Sequence, residues 1–371
     1  MKWLEKYLDW RVFLLGLVVG FAALSVLGWF VTSTNMFTDY RRSHKFISPE
    51  TMFVPTAREI IALADAQLPT DKIAVIVGGS SVFRGAGQSA ESLWTAALQR
   101  DLGNRYAVLN LALNGGSPGG QGLYATEHLL KQGRKVIYVA DIGLLPHIPP
   151  SDSDAYTQMF FDAQAEGYLQ DHPERDAAVK IAQAKVWDER RLQALTNAAF
   201  HADDLWTYVG YKLLFTIWTP ILRDAPFKAR EAYPDDEADC VPAQAYSLNL
   251  DANTAITKAL AGSNLFPTQP KTNAEEAFAP VTRNNSMLVV TPNSPFFLDR
   301  LTSGEREQYA ANMQTIASAY AADGIEAHVI PSVFDATTDY CDRVHLTPSG
   351  GVKLAAEVAK LVEAKAAALG Y

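Results

Sequence analysis

Five short apolar runs, each closed by turn residues, constrain the fold more than any other feature of this chain. They are "KIAVIVGG" (Lys72–Gly79), "YAVLNLALNGG" (Tyr106–Gly116), "KVIYVADIG" (Lys135–Gly143), "SMLVVTPN" (Ser286–Asn293) and "IEAHVIP" (Ile325–Pro331). Their apolar residues run on without strict alternation, the pattern of strands covered on both faces in a parallel sheet. Helix-periodic stretches lie between and after them at Ala90–Asp101, Gly120–Lys131, Ser303–Asp323 and Pro348–Ala368, the last opening with a Pro-Ser-Gly-Gly turn. The alternation predicts an α/β domain, a parallel sheet of about five strands with helices on both faces. Ligands of such sheets bind beyond the carboxyl ends of the strands.

One block breaks the rhythm. Residues 144–283 carry an acidic helical stretch (Asp171–Ala199), the aromatic run "DDLWTYVGYKLLFTIWTP" (Asp203–Pro220) and a Pro-, Asp- and Asn-rich segment. This reads as an insertion between the third and fourth strands. Structureless loops of that length are rare, so it should form helices of its own and either cap the site or dock a partner. For the aromatic run three readings stand: a helix packed on the core, a helix facing a membrane surface or partner, or a wall of a substrate groove.

The N-terminus has a different character. Val12–Val31 is twenty residues without a charge, long enough at 1.5 Å per residue to cross a hydrocarbon core of roughly 30 Å. A cleaved signal peptide is the rival reading, but its apolar region usually spans only about 7 to 15 residues and ends in a small-x-small site. This run ends in Gly28, Trp29 and Phe30. Trp3, Tyr7 and Trp10 on one side, and Trp29 and Phe30 on the other, sit where interfacial aromatics belong. The organisation expected is an anchor (1–31), a stalk (32–52) and one domain (53–371) interrupted by the insertion. Lys2, Lys6 and Arg11 before the span balance Arg41, Arg42 and Lys45 after it, so charge does not fix the orientation.

Several function classes fall away. A net charge of −9, with no basic run carrying interleaved aromatics, argues against nucleic acid as a partner. There is no P-loop, no G-x-G-x-x-G after a strand and no metal-type His/Cys cluster, so neither cofactor nor metal is expected. The two cysteines, Cys240 and Cys341, are either one disulfide in an oxidising compartment or two unrelated buried thiols. A disulfide would tie the insertion to the loop carrying Asp342.

Side-chain chemistry is what remains. A serine nucleophile needs an imidazole to take its proton, a carboxylate to orient that imidazole and N–H donors for the oxyanion. Ser81, in "GGSSVFRG", follows the first strand and would emerge at the carboxyl edge of the sheet, with Ser80 shaping the turn. His345, in "YCDRVHLTPSGGVKLA", stands three residues after Asp342, a spacing that turns the carboxylate onto one imidazole nitrogen. It follows the fifth strand, so topology delivers it to the same edge as Ser81. Of the other histidines, His44, His128, His172, His201 and His328 read as structural or solvated; His147 in "LLPHIPP" lies at the right edge of the sheet, where a substrate contact is the minority reading beside a structural one.

Ser81 with Gly85 four residues later, the glycine turn in "NLALNGGSP", and D-x-x-H followed by "LTPSGG" and a final helix together resemble the SGNH (GDSL-like) hydrolase superfamily. The resemblance covers roughly residues 72–141 and 286–370 and leaves the insertion unmatched. It implies a flavodoxin-like three-layer fold, with Ser81 as nucleophile and, through its own N–H, oxyanion donor. Gly115 would be the second donor, or Gly116 by one register step; His345 would be the base and Asp342 its orienting acid. The family's third block supplies an asparagine in G-x-N-D, where this chain has "VADIGLL". Asp141 occupies the place, but an ionised carboxylate repels an oxyanion, so Asn114 or Asn293 substitutes or the third donor is absent.

With the anchor, the layout is similar to membrane proteins of teichoic-acid D-alanylation and, more loosely, of polysaccharide O-acetylation. It implies a single-pass protein of the inner (cytoplasmic) membrane with its catalytic domain outside the cytoplasm. The reaction implied is serine acyl transfer, as O-acyltransferase or esterase, on a glycan or acylated small molecule, beside a membrane-bound O-acyltransferase. The alternative is a catalytically inactive scaffold or binding subunit, which the missing G-x-N-D favours.

Overall fold

The computed structural model describes residues 10–32, 41–42, 56–116, 118–144, 163, 165–169, 195–201, 205, 237–242, 249–266 and 279–371. The first helix, α1 (Trp10–Thr32), is the apolar run and is long and apolar enough to cross a membrane. Its apolar side chains are almost all exposed. At its far end Arg58 lies over the Trp29 ring at 5.8 Å, which ties the helix exit to α2 (Ala57–Gln67).

The sheet comprises β1 (Ile73–Gly78), β2 (Tyr106–Asn110), β3 (Val136–Ile142), β4 (Ser286–Val290) and β5 (Glu326–Val329), all parallel, in the order β2-β1-β3-β4-β5. The helices are α2, α3 (Ser81–Arg84), α4 (Trp94–Leu102), α5 (Gln121–Lys131), α6 (Leu250–Leu260), α7 (Pro280–Arg283), α8 (Pro295–Leu298), α9 (Ser303–Ala322) and α10 (Pro348–Ala368). The order places β1 and β3 on opposite sides of the point where the winding reverses, the place where doubly wound sheets open a crevice.

The continuous apolar runs arise because both sheet faces are covered. Ala74, Ile76, Tyr138, Ala140, Leu288 and Val290 point to one core, shared with α2, α5 and α9. Val75, Val77, Ile137, Val139, Met287 and Val289 point to the other, shared with α4 and α10. Burying each large aliphatic stabilises by roughly 1.5–3 kcal/mol, so period-2 positions on either face are equally costly to make polar. Capping boxes start α2 (Thr56, Glu59) and α9 (Thr302, Glu305).

Three expectations are corrected. The fifth run is half-exposed rather than covered: β5 is one of the sheet's two edges, and there Glu326 carries His328 and Lys365 on its carboxylate, whereas the other edge, β2, is buried. Helix α4 starts at Trp94 rather than Ala90 because the Gln88 side chain captures the Trp94 N–H. The Pro-Ser-Gly-Gly stretch opens α10 as expected: Thr347 caps, Pro348 starts the helix, and Cβ atoms on Gly350 or Gly351 would overlap Asp339 and Gln88. Arg42, counted as an interfacial charge of the stalk, is buried in the domain.

The chain leaves the sheet after β3 and re-enters it at β4, where the insertion was expected. Of that block, α6 docks on α9, with the Asn312 amide donating to Leu260 O at 2.8 Å. The aromatic run but for Leu205, most of the acidic stretch, His147 and all of the stalk but 41–42 lie outside the described residues.

Candidate active site

The strand-to-helix turn after β1 is built from Gly79, Ser80 and Ser81. Gly79 has φ +98°, and a Cβ there would overlap the Asp141 carboxylate, so only glycine lets the strand end against β3. Ser80 then caps α3. Its hydroxyl accepts from Val82 N–H at 3.3 Å and donates to Asp141 Oδ2, while its own N–H donates to Asp141 Oδ1 at 2.6 Å. Ser81 is thereby the first residue of a one-turn helix closed by Gly85 at φ +84°. Its Oγ stands 2.8 Å from His345 Nε2.

His345 comes from the loop between β5 and α10. Tyr340 and Leu346 form an antiparallel bridge, and Cys341 N–H donates to His345 O at 2.8 Å, so the intervening residues project as a tight tip. His345 Nδ1 lies 2.7 Å from Asp342 Oδ2, and Asp342 Oδ1 accepts the N–H groups of Val344 (2.9 Å) and His345 (2.8 Å). An ionised carboxylate only accepts, so the network assigns the proton to Nδ1 and leaves the Nε2 lone pair to Ser81. Burial alone would raise the Asp342 carboxyl, but the hydrogen bond and charge of His345 and the two N–H donors outweigh it and hold it at about 2. The His345 side chain is 25 % exposed, so the triad is open to a substrate.

Two ties hold the nucleophile turn to the His loop, and a third holds the inserted block to that turn. Gln88 Nε2 donates to Leu346 O and Thr347 O, both at 3.2 Å. Cys240 and Cys341 are bonded, with 5.7 Å between their Cα atoms, and Cys240 N–H donates to Gly87 O at 2.9 Å. Glu237 receives Arg84 Nη1 and Gly87 N–H, each at 2.8 Å. Arg42 reaches Gly85 O, Gln88 O (2.7 Å) and Glu237 (3.5 Å). Burial would raise the Glu237 carboxyl, but Arg84, the Gly87 N–H and Arg42 hold it below its ordinary value. Arg84, Gln88 and Glu237 were not singled out in the sequence, and Arg42 only as a charge flanking the span; the nearness of Glu237 to Cys240 in the chain is the one signal that could have pointed to it.

The candidate oxyanion donors separate clearly. The Ser81 N–H, at the start of α3, has no intrahelical acceptor and takes part in no hydrogen bond with the described residues. Leu113 N–H donates to Gly79 O at 3.0 Å, which brings the 113–116 turn beside the nucleophile turn. Gly115, exposed at φ +66°, has an N–H that makes no hydrogen bond among the described residues. Gly116 donates to Leu113 O at 2.9 Å, which removes it as the alternative donor. Asp141 is excluded as a third donor because both its oxygens accept from Ser80; it holds the turn instead. Asn114 stands half-buried in the 113–116 turn. Asn293 lies after β4, where its Oδ1 accepts from Arg343 Nη1 at 3.2 Å. Among the described residues, no three or more His, Cys, Asp or Glu gather as a metal site requires.

Asp141 makes a pH prediction. Burial pushes its carboxyl up to about 6, against the hydrogen bonds from Ser80 and the nearby charge of His345. A carboxyl raised above its unfolded value of 3.8 favours folding at low pH, and that contribution is lost as pH rises through 6. The difference amounts to roughly 3 kcal/mol. Asp342, held at about 2, acts oppositely: its contribution is present above 3.8 and is lost as pH falls through 2. Thermal melts of Asp141→Asn are therefore expected to show a flatter stability profile between pH 4 and 6 than wild type; an unchanged profile contradicts this.

No protein family matches the chain, and no curated protein matches its sequence.

Proposed function

We propose that the protein is a membrane-anchored, extracytoplasmic serine acyl-transfer enzyme of SGNH type, an O-acyltransferase or esterase acting on a cell-envelope glycan or related acylated substrate. The observation that carries this reading is the unbroken chain from Ser81 Oγ through His345 to Asp342, at 2.8 and 2.7 Å, on the carboxyl edge of a parallel sheet. The strand order β2-β1-β3-β4-β5 is that of flavodoxin-like sheets and supports the SGNH assignment.

In the proposed reaction Ser81 Oγ attacks an acyl carbonyl carbon while His345 Nε2 takes the hydroxyl proton. The N–H groups of Ser81 and Gly115 are the candidate donors to the resulting oxyanion. Collapse breaks the bond to the leaving group, which departs with the proton from His345, and leaves Ser81 acylated. A sugar hydroxyl or water then enters, gives its proton to His345 and takes the acyl group, and the proton returns to Ser81. Transferase and esterase differ only in that last acceptor.

The anchor and the disulfide support the location. An exposed apolar helix of this length suits a bilayer, and a disulfide suits a compartment outside the cytoplasm. A membrane-bound O-acyltransferase is the proposed partner and acyl source. The second reading, an inactive scaffold, draws support from Asp141, which stands where an oxyanion asparagine would and is occupied by Ser80.

The deciding experiment treats the full chain in detergent with a fluorophosphonate probe and maps the adduct by mass spectrometry. The enzyme reading expects one adduct, on Ser81. A folded protein that takes no label supports the scaffold.

A further inference from the structure

Beside the His loop lies a buried cation whose hydrogen-bonding capacity is largely unused. Arg343 follows Asp342 directly and is 7 % exposed; Asn293, after β4, is 4 % exposed. The guanidinium makes one side-chain hydrogen bond, from Nη1 to Asn293 Oδ1 at 3.2 Å. Among the described residues its Nε–H is sealed from solvent without an acceptor, and so is the Asn293 Nδ2 amide. Nη2 is neither hydrogen-bonded nor among the sealed atoms. Among the described residues no carboxylate lies within ion-pairing distance of Arg343.

Such an arrangement is unfavourable by itself. A buried donor without an acceptor costs about 1–3 kcal/mol, more when charged. The groups around Arg343 do not supply the missing acceptor: Asp342 is engaged with His345 and two backbone N–H groups, and Tyr309 receives the Asn293 backbone N–H through its hydroxyl at 2.9 Å. Burial disfavours the charged guanidinium, and Tyr309 and Asp342 offset this only in part. The unused atoms have a definite shape. Nε–H and Nη2–H form the side-on fork of a guanidinium, which matches the two oxygens of a carboxylate or phosphate.

We infer that Arg343 and Asn293 form an anion subsite beside the proposed catalytic loop, which binds a carboxylate or phosphate group carried by the substrate. The anion would meet Arg343 at Nη2, the guanidinium nitrogen that is not sealed, and a turn of the side chain would bring the Nε–H and then the Asn293 amide to it as further donors. This rests on the acyl-transfer reading for its place in a reaction, and it narrows that reading to an anionic glycan or acyl carrier. A sugar acid and a phosphate-bearing polymer share this chemistry, so the test carries one arm for each.

The experiment uses the full chain in detergent with Ser81→Ala, so that binding is read without turnover. Glucuronate, inorganic phosphate and uncharged glucose are titrated by calorimetry. Saturable binding in about the millimolar range is expected for one or both anions and none for glucose. Arg343→Gln is expected to weaken that binding at least tenfold, and Arg343→Lys, which keeps the charge but loses the fork, to weaken it less. Melting curves establish that each variant is folded; if Arg343→Gln is not, Arg343→Lys and Asn293→Leu carry the comparison. Preference for glucuronate assigns a sugar acid, and preference for phosphate a phosphorylated substrate. Failure of both anions to saturate, or equal binding by the folded variants, overturns the subsite. Neither result bears on fluorophosphonate labelling of Ser81, which tests the acyl-transfer reading separately.

Discussion

Replacing Ser81 with alanine is expected to abolish fluorophosphonate labelling and to lower acyl transfer by about 10⁴- to 10⁶-fold, the range seen when a triad nucleophile is removed. His345→Ala should be comparably severe, because Ser81 Oγ has no other base within hydrogen-bonding distance among the described residues. Asp342→Asn should cost less, near 10⁴-fold or below, since the imidazole remains but its tautomer is no longer fixed. The three act as a unit, so the Ser81→Ala/His345→Ala double variant should be no slower than either single one. Stability should barely change: Ser81 is half-buried and contributes only its hydroxyl contact with His345. Folded Ser81→Ala protein that still takes the probe would overturn the assignment of the nucleophile.

The triad was legible because its parts are local. "GGSS" after an apolar run and D-x-x-H before a helix each sit at a strand's carboxyl end, and a parallel sheet brings all such ends to one edge. The candidate backbone donors, Ser81 after the first strand and the glycine turn after the second, came from the SGNH resemblance, and the choice between Gly115 and Gly116 needed the hydrogen bond to Leu113. What stayed hidden is long-range. Glu237 meets Arg84, Gly87 and Arg42 across separations that no period or spacing encodes. The role of Asp141 was hidden for another reason: the sequence presents a carboxylate where an amide was expected, and only the fold shows both its oxygens turned to Ser80. What covers an edge strand is also a tertiary property: β2 and β5 are both edges and both read as covered, but only β2 is.

Removing the Cys240–Cys341 disulfide is expected to have the largest effect on stability. It closes a separation of 101 residues, for which the loop-entropy relation gives about 4–5 kcal/mol, and native disulfides commonly return about 2–5. Reductant, or Cys240→Ser with Cys341→Ser, should therefore lower the melting temperature by several degrees. Cys341 precedes Asp342, and Gly87, at φ +88°, is so close that a Cβ would overlap the Cys341 sulfur. The bond thus sits between the nucleophile turn and the His loop, and its loss should slow labelling of Ser81 even at temperatures where the protein stays folded. A purely structural bond predicts otherwise: a lower melting temperature with an unchanged labelling rate on the folded protein. The comparison is therefore made below both transitions, on the full chain, with labelling rate and melting temperature read from the same preparation. Identical mobility of the alkylated protein with and without reductant would instead show that the two thiols are not joined. In that case Glu237, held by Arg84 and the Gly87 N–H, and the Cys240 N–H on Gly87 O would be left to keep the insertion against the nucleophile turn.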